Sequence, residues 1–416
     1  MNRISQLTIA LVCSFGMNAA VNAQDRAPLL DPDSKEPSLY ERIAGDNART
    51  LSSHMNFNFC TTEHTDFVNS NFSESKFKIR RMRWEVYGDI APKLSYHFRQ
   101  SINGSFSQNT WENINNSIEM AFVRWKPASK LDLLIGKQFM NVSGYECWVN
   151  GVDVREFSDF NDNFNPCRVG VTANINFNDN QMLGFQLANS ITNTLDKAFP
   201  APVPTDIKKS KSPLMAGAQW IGYFADKALM FQYSAAFGNQ AEKKNALMIT
   251  AGNVWKRGPI TAYLDFMYSR EGLDSKGLVS QLADFSTPTA AEGAAEWKPM
   301  GAQNVEYFTT IANIDYRVHK HWNVFLKGAF EMIGVYKSNG LTADNKVLFP
   351  EGLYRRAWNG QLCAEYIPMP ERDNFRLYAH LLYKKYNYTN LGESMGATNQ
   401  DLKRITLGLV YTIPVF

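Results

Sequence analysis

The sequence predicts an all-β protein, a transmembrane antiparallel β-barrel of about 16 strands with short periplasmic turns and long extracellular loops. Three observations carry that prediction. Segments of about ten residues alternate apolar with polar side chains along most of the chain. The connections between them alternate short with long. The only long apolar run stands at the amino terminus, and the mean hydropathy is negative. A helical membrane bundle is thereby excluded, because each of its helices needs about 20 apolar residues to cross about 30 Å of hydrocarbon.

The alternation is clearest at Arg168 to Asn178. Val169, Val171, Ala173, Ile175 and Phe177 share one face; Arg168, Gly170, Thr172, Asn174 and Asn176 share the other. Successive side chains of a strand point to opposite faces, so this spacing gives one greasy and one polar side. The pattern recurs at 259–269, 93–102, 322–332 and 374–384. Sixteen such segments begin near residues 54, 77, 93, 116, 131, 168, 182, 214, 228, 246, 259, 304, 321, 355, 374 and 402. Those near 246 and 355 are the least regular. The phase slips at Arg80 and Arg81, which predicts a bulge.

Short links are expected at 88–92, 127–130, 178–181, 224–227, 257–258, 319–320 and 367–373. Longer ones are expected at 62–76, 107–115, 139–167, 191–213, 239–245, 271–303, 337–354 and 389–401. Short and long then alternate over the whole chain, as in bacterial outer-membrane barrels. An even strand number places both termini in the periplasm. The chain ends on Phe416 after an alternating segment, with Pro414 interrupting the phase.

Residues 1–23 read as a signal peptide. Arg3 gives a positive start, Leu7 to Phe15 a short apolar core, and Val21-Asn22-Ala23 a small-residue cleavage site. Lipidation at Cys13 is a weaker alternative. Residues 24–50, with Pro28, Pro32 and Pro37, form a periplasmic lead-in, and 51–416 the outer-membrane barrel. In the oxidising periplasm, Cys147 and Cys167 at the two ends of one long polar segment are either a disulfide or two separate thiols.

In hydrocarbon every backbone N–H and C=O needs a partner, which strands achieve only by closing into a barrel. The greasy face then meets lipid. The other face is too rich in Asn, Ser, Thr, Arg and Glu to pack dry. It faces water, and about 16 strands leave an aqueous channel. The strand phase directs Arg81, Arg83, His97, Arg99, Arg168, Lys327, Arg376, Lys384 and Arg404 inward, with the acidic Glu85, Glu119, Asp132, Asp265, Glu331 and Glu365. Arg81 and Arg83 on one strand and Arg99 on its hairpin partner share a wall. Such a wall either draws anions into the pore or is a basic patch at one mouth. Segment 139–167 is long for a structureless connection. Its acidic residues are Glu146, Asp153, Glu156, Asp159 and Asp162, against Arg155 alone. Folded inward it constricts the pore opposite the basic wall; folded outward it is a solvated lid.

The stretch from Phe77 to Arg99, FKIRRMRWEVYGDIAPKLSYHFR, resembles the early hairpin of the phosphate-selective porins O and P, an Arg-rich strand followed by a short turn and an aromatic strand. Leu131 to Gln138, LDLLIGKQ, is similar to a later strand of that family. The resemblance implies a sixteen-stranded, trimeric porin passing small inorganic or organic anions such as phosphate. It matches Arg81, Arg83 and Arg99 to basic hairpin positions but gives no full arginine ladder, and the acidic loop departs from the pattern.

With 43 basic and 40 acidic residues, the chain carries no overall charge signal for nucleic acid. None of the six histidines lies in an HExxH or GxSxG context. No catalytic residue, metal ligand or cofactor is assigned, and the expected surroundings are outer-membrane lipid and the solutes themselves. An adhesin, a specific-ligand transporter or a barrel hydrolase is the alternative.

Overall fold

A computed structural model describes residues 53–102, 117–191, 193–283, 300–341 and 346–415. The segments expected as signal peptide and lead-in, the expected loop 107–115 and Phe416 lie outside these residues. Strands β1 (Ser53–Val68), β2 (Asn71–Ala91), β3 (Leu94–Ser101), β4 (Ile118–Ala128), β5 (Leu131–Phe139), β6 (Cys167–Asn178), β7 (Gln181–Asn189) and β8 (Leu214–Phe224) make one half of a barrel. The other half is β9 (Leu229–Ala241), β10 (Lys244–Arg257), β11 (Ile260–Leu273), β12 (Gln303–His319) and β13 (Trp322–Val335), then β16 (Gly352–Tyr366), β17 (Phe375–Tyr388) and β18 (Gln400–Pro414). A small hairpin, β14 (Asn339–Leu341) and β15 (Val347–Phe349), stands apart from the wall.

Each barrel strand pairs antiparallel with its neighbours in sequence, and β18 closes on β1 from Asn56 opposite Pro414 to Val68 opposite Leu402. Closure leaves no edge, so the backbone is satisfied without water. The polarity of the wall is the reverse of a soluble protein's. On β18 Leu407 is 57% exposed on the outside while Thr406 beside it is 7% exposed within. Leu326, Trp358 and Leu381 likewise point out, and Asn359, Gln361 and His380 in.

The bulge predicted at Arg80–Arg81 is present. Cys60 pairs with Arg81 but Thr61 with Ile79, so Arg80 is the extra residue. A second bulge lies between β3 and β4, where Arg99 pairs with Met120 and Gln100 with Ile118, leaving Glu119 over. Each bulge turns one additional charged side chain into the lumen.

Two expected long loops are corrected. Segments 62–76 and 239–245 are strand, joined by tight turns at 69–70 and 242–243. Asn69 and Ser70 both have positive φ, of 50° and 65°, the backbone a two-residue hairpin needs. Polar residues there continue the ladder because hydrogen-bond pairing, not lipid contact, decides the strand's end. Alternation of short with long connections therefore holds only in part.

Candidate functional site

Residues 140–166, between β5 and β6, leave the wall and cross the lumen. A loop buried this way must find partners for its own N–H and C=O groups, and consecutive strands supply them. On β7, Gln186 accepts from Asn141 N (2.9 Å) and donates to Phe139 O (2.9 Å). On β8, Gln219 donates to Asn141 O (2.8 Å). On β9 and β10, Gln232 and Thr250 donate to Ser143 O, at 3.1 and 3.3 Å. On β11, Asp265 Oδ2 accepts from Glu146 N (2.8 Å). Five neighbouring strands thus form a rail under the start of the loop.

The rest of the loop carries two single turns of helix, α1 (Tyr145–Trp148) and α2 (Asp159–Asp162), and is held by charge. Glu146 accepts from Asn161 Nδ2 (2.6 Å) and Ser158 Oγ (3.0 Å) and pairs with Lys327 of β13. Glu331, also on β13, accepts the N–H groups of Asp159 and Phe160 at 3.0 and 2.9 Å. Asp159 takes Arg355 Nη2 of β16 at 2.7 Å and Lys384 Nζ of β17 at 3.2 Å. Glu156 takes Lys384 at 3.2 Å and Arg404 of β18 at 3.4 Å. Asp153 takes Arg376 of β17 at 2.9 Å, and Arg155 pairs with Glu365 of β16. Burial alone would push the Glu156 and Asp159 carboxyls up. Lys384 and Arg404 beside Glu156, and Arg355 and Lys384 beside Asp159, outweigh it and hold both below the usual carboxylate range. Asp162 moves the other way, because burial and the nearby Glu156 charge both raise it.

Past α2 the sector is filled. Phe160 packs edge-on against Tyr307, and the buried Val279, Ile333, Phe349 and Tyr354 belong to the same apolar cluster. Asp274, after β11, accepts from Gly277 N (2.8 Å) and Ser280 N (2.8 Å) and pairs with the Tyr307 hydroxyl, fixing a second inward loop.

A cavity of about 1090 Å³ remains in the lumen, lined on the β2–β5 side by Arg81, Arg83, Arg99 and Lys137 with Glu85 and Glu119, and on the facing strands by Lys256, Asp315, Lys327 and Arg376 among others. Arg83 is 1% exposed and donates to Glu119 (3.0 Å) and to Asn150 of the loop (2.6 Å). Arg99 Nε lies 2.8 Å from the same Glu119 oxygen and Nη1 3.8 Å from Glu85. His97 Nε2 stands 2.9 Å from Glu85. The Arg81 guanidinium lies flush against the loop, where a Cβ on Gly151 would come within 1.6 Å of Nη1. Arg80 donates to Val154 O at 2.7 Å.

The residues expected to line the pore therefore divide. Arg81, Arg83, His97 and Arg99 come together in the cavity. Lys327 and Arg376 also touch it but are tied to loop carboxylates, as are Lys384 and Arg404, which do not line it. Arg168 does not line it and donates to Cys167 O at 3.3 Å. Of the two alternatives left open for Cys147 and Cys167, the structure shows separate free thiols and no disulfide. Cys147 faces along the loop to Asn161 Oδ1 (3.1 Å), while Cys167 opens β6 in the wall. Sequence reasoning missed Arg80, whose signal was the phase slip, and Arg355, which stood in an irregular segment. It also missed the glutamines, which as uncharged luminal residues gave no reason for notice.

Among the described residues one His, Asp and Glu group is tight enough for a metal, His64, Asp66 and Glu74. Arg404 already holds Asp66 through two bonds of 2.6 and 2.8 Å, and Lys76 holds Glu74 at 2.6 Å. Both carboxylates are compensated without an ion.

The model of the phosphate-selective porin O and P family matches residues 57–413. None of the curated proteins matches the sequence. Among solved structures the chain resembles an anion-selective porin from Comamonas acidovorans, at 11% identity and TM-score 0.55, covering 87% of this chain and 99% of that one. It also resembles the outer-membrane channel DcaP of Acinetobacter baumannii, at 11% identity and TM-score 0.52, over 88% and 98% of the two chains. Salmonella typhi OmpF, in complex with daunomycin, matches at 9% identity and TM-score 0.51, over 86% and 97%. These likenesses fix the fold, and the family match fixes the rest: the chain belongs to the phosphate-selective porin O and P family and is an outer-membrane channel for passive diffusion of small hydrophilic solutes.

Proposed function

We propose that this channel passes small anions in preference to cations. The observation that carries the reading is a local surplus of positive charge. Arg80, Arg81, Arg83 and Arg99 gather on β2 and β3 with Glu85 and Glu119 for counter-charge. On β13, β16 and β17 the inward Lys327, Arg355, Arg376 and Lys384 are matched by the acidic loop. A narrow passage between low-dielectric walls magnifies the surplus, and anions concentrate there. Lipid surrounds the outer face, three barrels associate, residues 1–23 are removed on export, 24–50 lead in from the periplasm, and both termini lie on that side.

Planar-bilayer recording under a KCl gradient tests this. The reversal potential is expected on the chloride side. A potential on the potassium side would reject the anion reading.

A further inference from the structure

Immediately beside the basic cluster, three adjacent strands present aromatic rings to the same cavity. Tyr87 of β2 pairs with His97 of β3, and His97 with Phe122 of β4. Their ring centroids lie 5.8 and 5.5 Å apart, tilted at about 50°. All three line the cavity. The row continues to β5 at Gly136, opposite Phe122, where a Cβ would come within 2.8 Å of the Phe122 backbone. Only a residue without one leaves that wall close enough. The result is a shelf of ring surface in a water-filled passage, where polar residues are the ordinary lining.

The shelf and the basic cluster are in register. Arg99 is two residues from His97 on the same face of β3, so the guanidinium row lies roughly 7 Å along the barrel from the ring row. That is the span of a six-membered ring carrying a carboxylate. Above it, the Arg99 guanidinium lies 5.2 Å from the centre of the Phe139 ring, adding a second flat surface at the cationic end. The donors of this cluster are partly committed: Arg83 gives hydrogen bonds to Glu119 and Asn150, and Arg99 faces Glu119 and Glu85. A small anion with acceptors on every side, such as inorganic phosphate, would bring several oxygens against the Phe122 ring and the ring faces of Tyr87 and His97, which offer no donor. An anion with charge at one end and a flat apolar body meets both surfaces.

Resting on the anion preference proposed above, we infer that the cavity favours arenecarboxylates, flat aromatic rings bearing a carboxylate, which seat the ring on Tyr87, His97 and Phe122 and the carboxylate on Arg81 and Arg99. The ring contact is of the kind that strengthens binding roughly fivefold for an offset or edge-to-face pair.

The test measures block of chloride current by benzoate, acetate and inorganic phosphate at equal concentration in planar bilayers. Benzoate is expected to block at roughly fivefold lower concentration than acetate. In Tyr87→Ser/Phe122→Ser that advantage is expected to disappear while the reversal potential under a KCl gradient stays on the chloride side. Equal block by benzoate and acetate in the natural protein would overturn the inference, as would a benzoate advantage that survives in the double variant. Stronger block by phosphate than by benzoate would also overturn it. A reversal potential on the potassium side would instead remove the anion preference itself, so the two failures are distinct. If the double variant does not insert, Tyr87→Phe, which keeps the ring, and Phe122→Leu, which keeps only the volume, are compared. Benzoate block is expected to persist in the first and weaken in the second, and equal block in both would overturn the proposal.

Discussion

Two walls of the same barrel carry inward basic residues and use them differently. On β13 and β16 to β18, Lys327, Arg355, Arg376, Lys384 and Arg404 are spent on Glu146, Asp159, Asp153 and Glu156 of the crossing loop. On β2 and β3 the arginines outnumber their carboxylates and border open space. Identical chemistry thus anchors a constriction on one side and charges a passage on the other. What separates the two is where the loop's acidic residues fall. A basic residue deep in a barrel is a pore-lining charge only if nothing on the loop neutralises it.

Breaking the anchoring wall gives the largest expected effect. Arg355→Met with Lys384→Met leaves Asp159 buried without its cations, a loss of about 3–5 kcal/mol. The barrel, closed by its own ladders, persists while the loop leaves its seat, and single-channel conductance is expected to rise severalfold. Unchanged conductance would mean the loop does not narrow the pore. Next is the charged wall: Arg80→Gln, Arg81→Gln, Arg83→Gln and Arg99→Gln together leave Glu85 and Glu119 in excess. The reversal potential is expected to move to the potassium side with heat resistance of the barrel nearly unchanged.

A smaller effect follows from pH. Folding holds the Glu156 and Asp159 carboxyls below their ordinary values of 4.5 and 3.8. A lowered folded-state value gives stability that is fully present above the unfolded value and lost as pH falls through the folded one. The loop is therefore expected to hold its seat at pH 7 and pH 5 and to loosen only below about pH 4, seen as a rise in conductance. Opening between pH 7 and pH 5 would point to other groups. The smallest effect is expected from Gly151→Ala, whose methyl displaces the Arg81 guanidinium. It should shift the reversal potential by a few millivolts without altering the loop contacts, and no shift would mean Arg81 yields without cost.

The barrel was legible because lipid and water impose a two-residue period on every strand, and all sixteen segments named from that period are wall strands. Loop ends were less so. At 62–76 and 239–245 polar residues pair as strand beyond the greasy belt, where the period no longer reports environment. The basic hairpin was read correctly as one wall because Arg83 and Arg99 lie on directly paired strands. The partners of Lys384 and Arg404 could not be read. They depend on Glu156 and Asp159 more than 200 residues away, brought over by a loop whose path no local pattern encodes. The choice between a disulfide and two separate thiols at Cys147 stayed open for the same reason, since a helical turn in the loop aims that thiol at Asn161.

Thiol accessibility on the two walls tests the division most directly. Arg81→Cys and, separately, Asn359→Cys, a luminal site on β16 that is 5% exposed, would be treated during recording with a charged, thiol-reactive blocker. Current through Arg81→Cys is expected to fall promptly and current through Asn359→Cys to remain. Block at residue 359 with none at 81 would put the passage on the wrong side of the barrel and contradict the account.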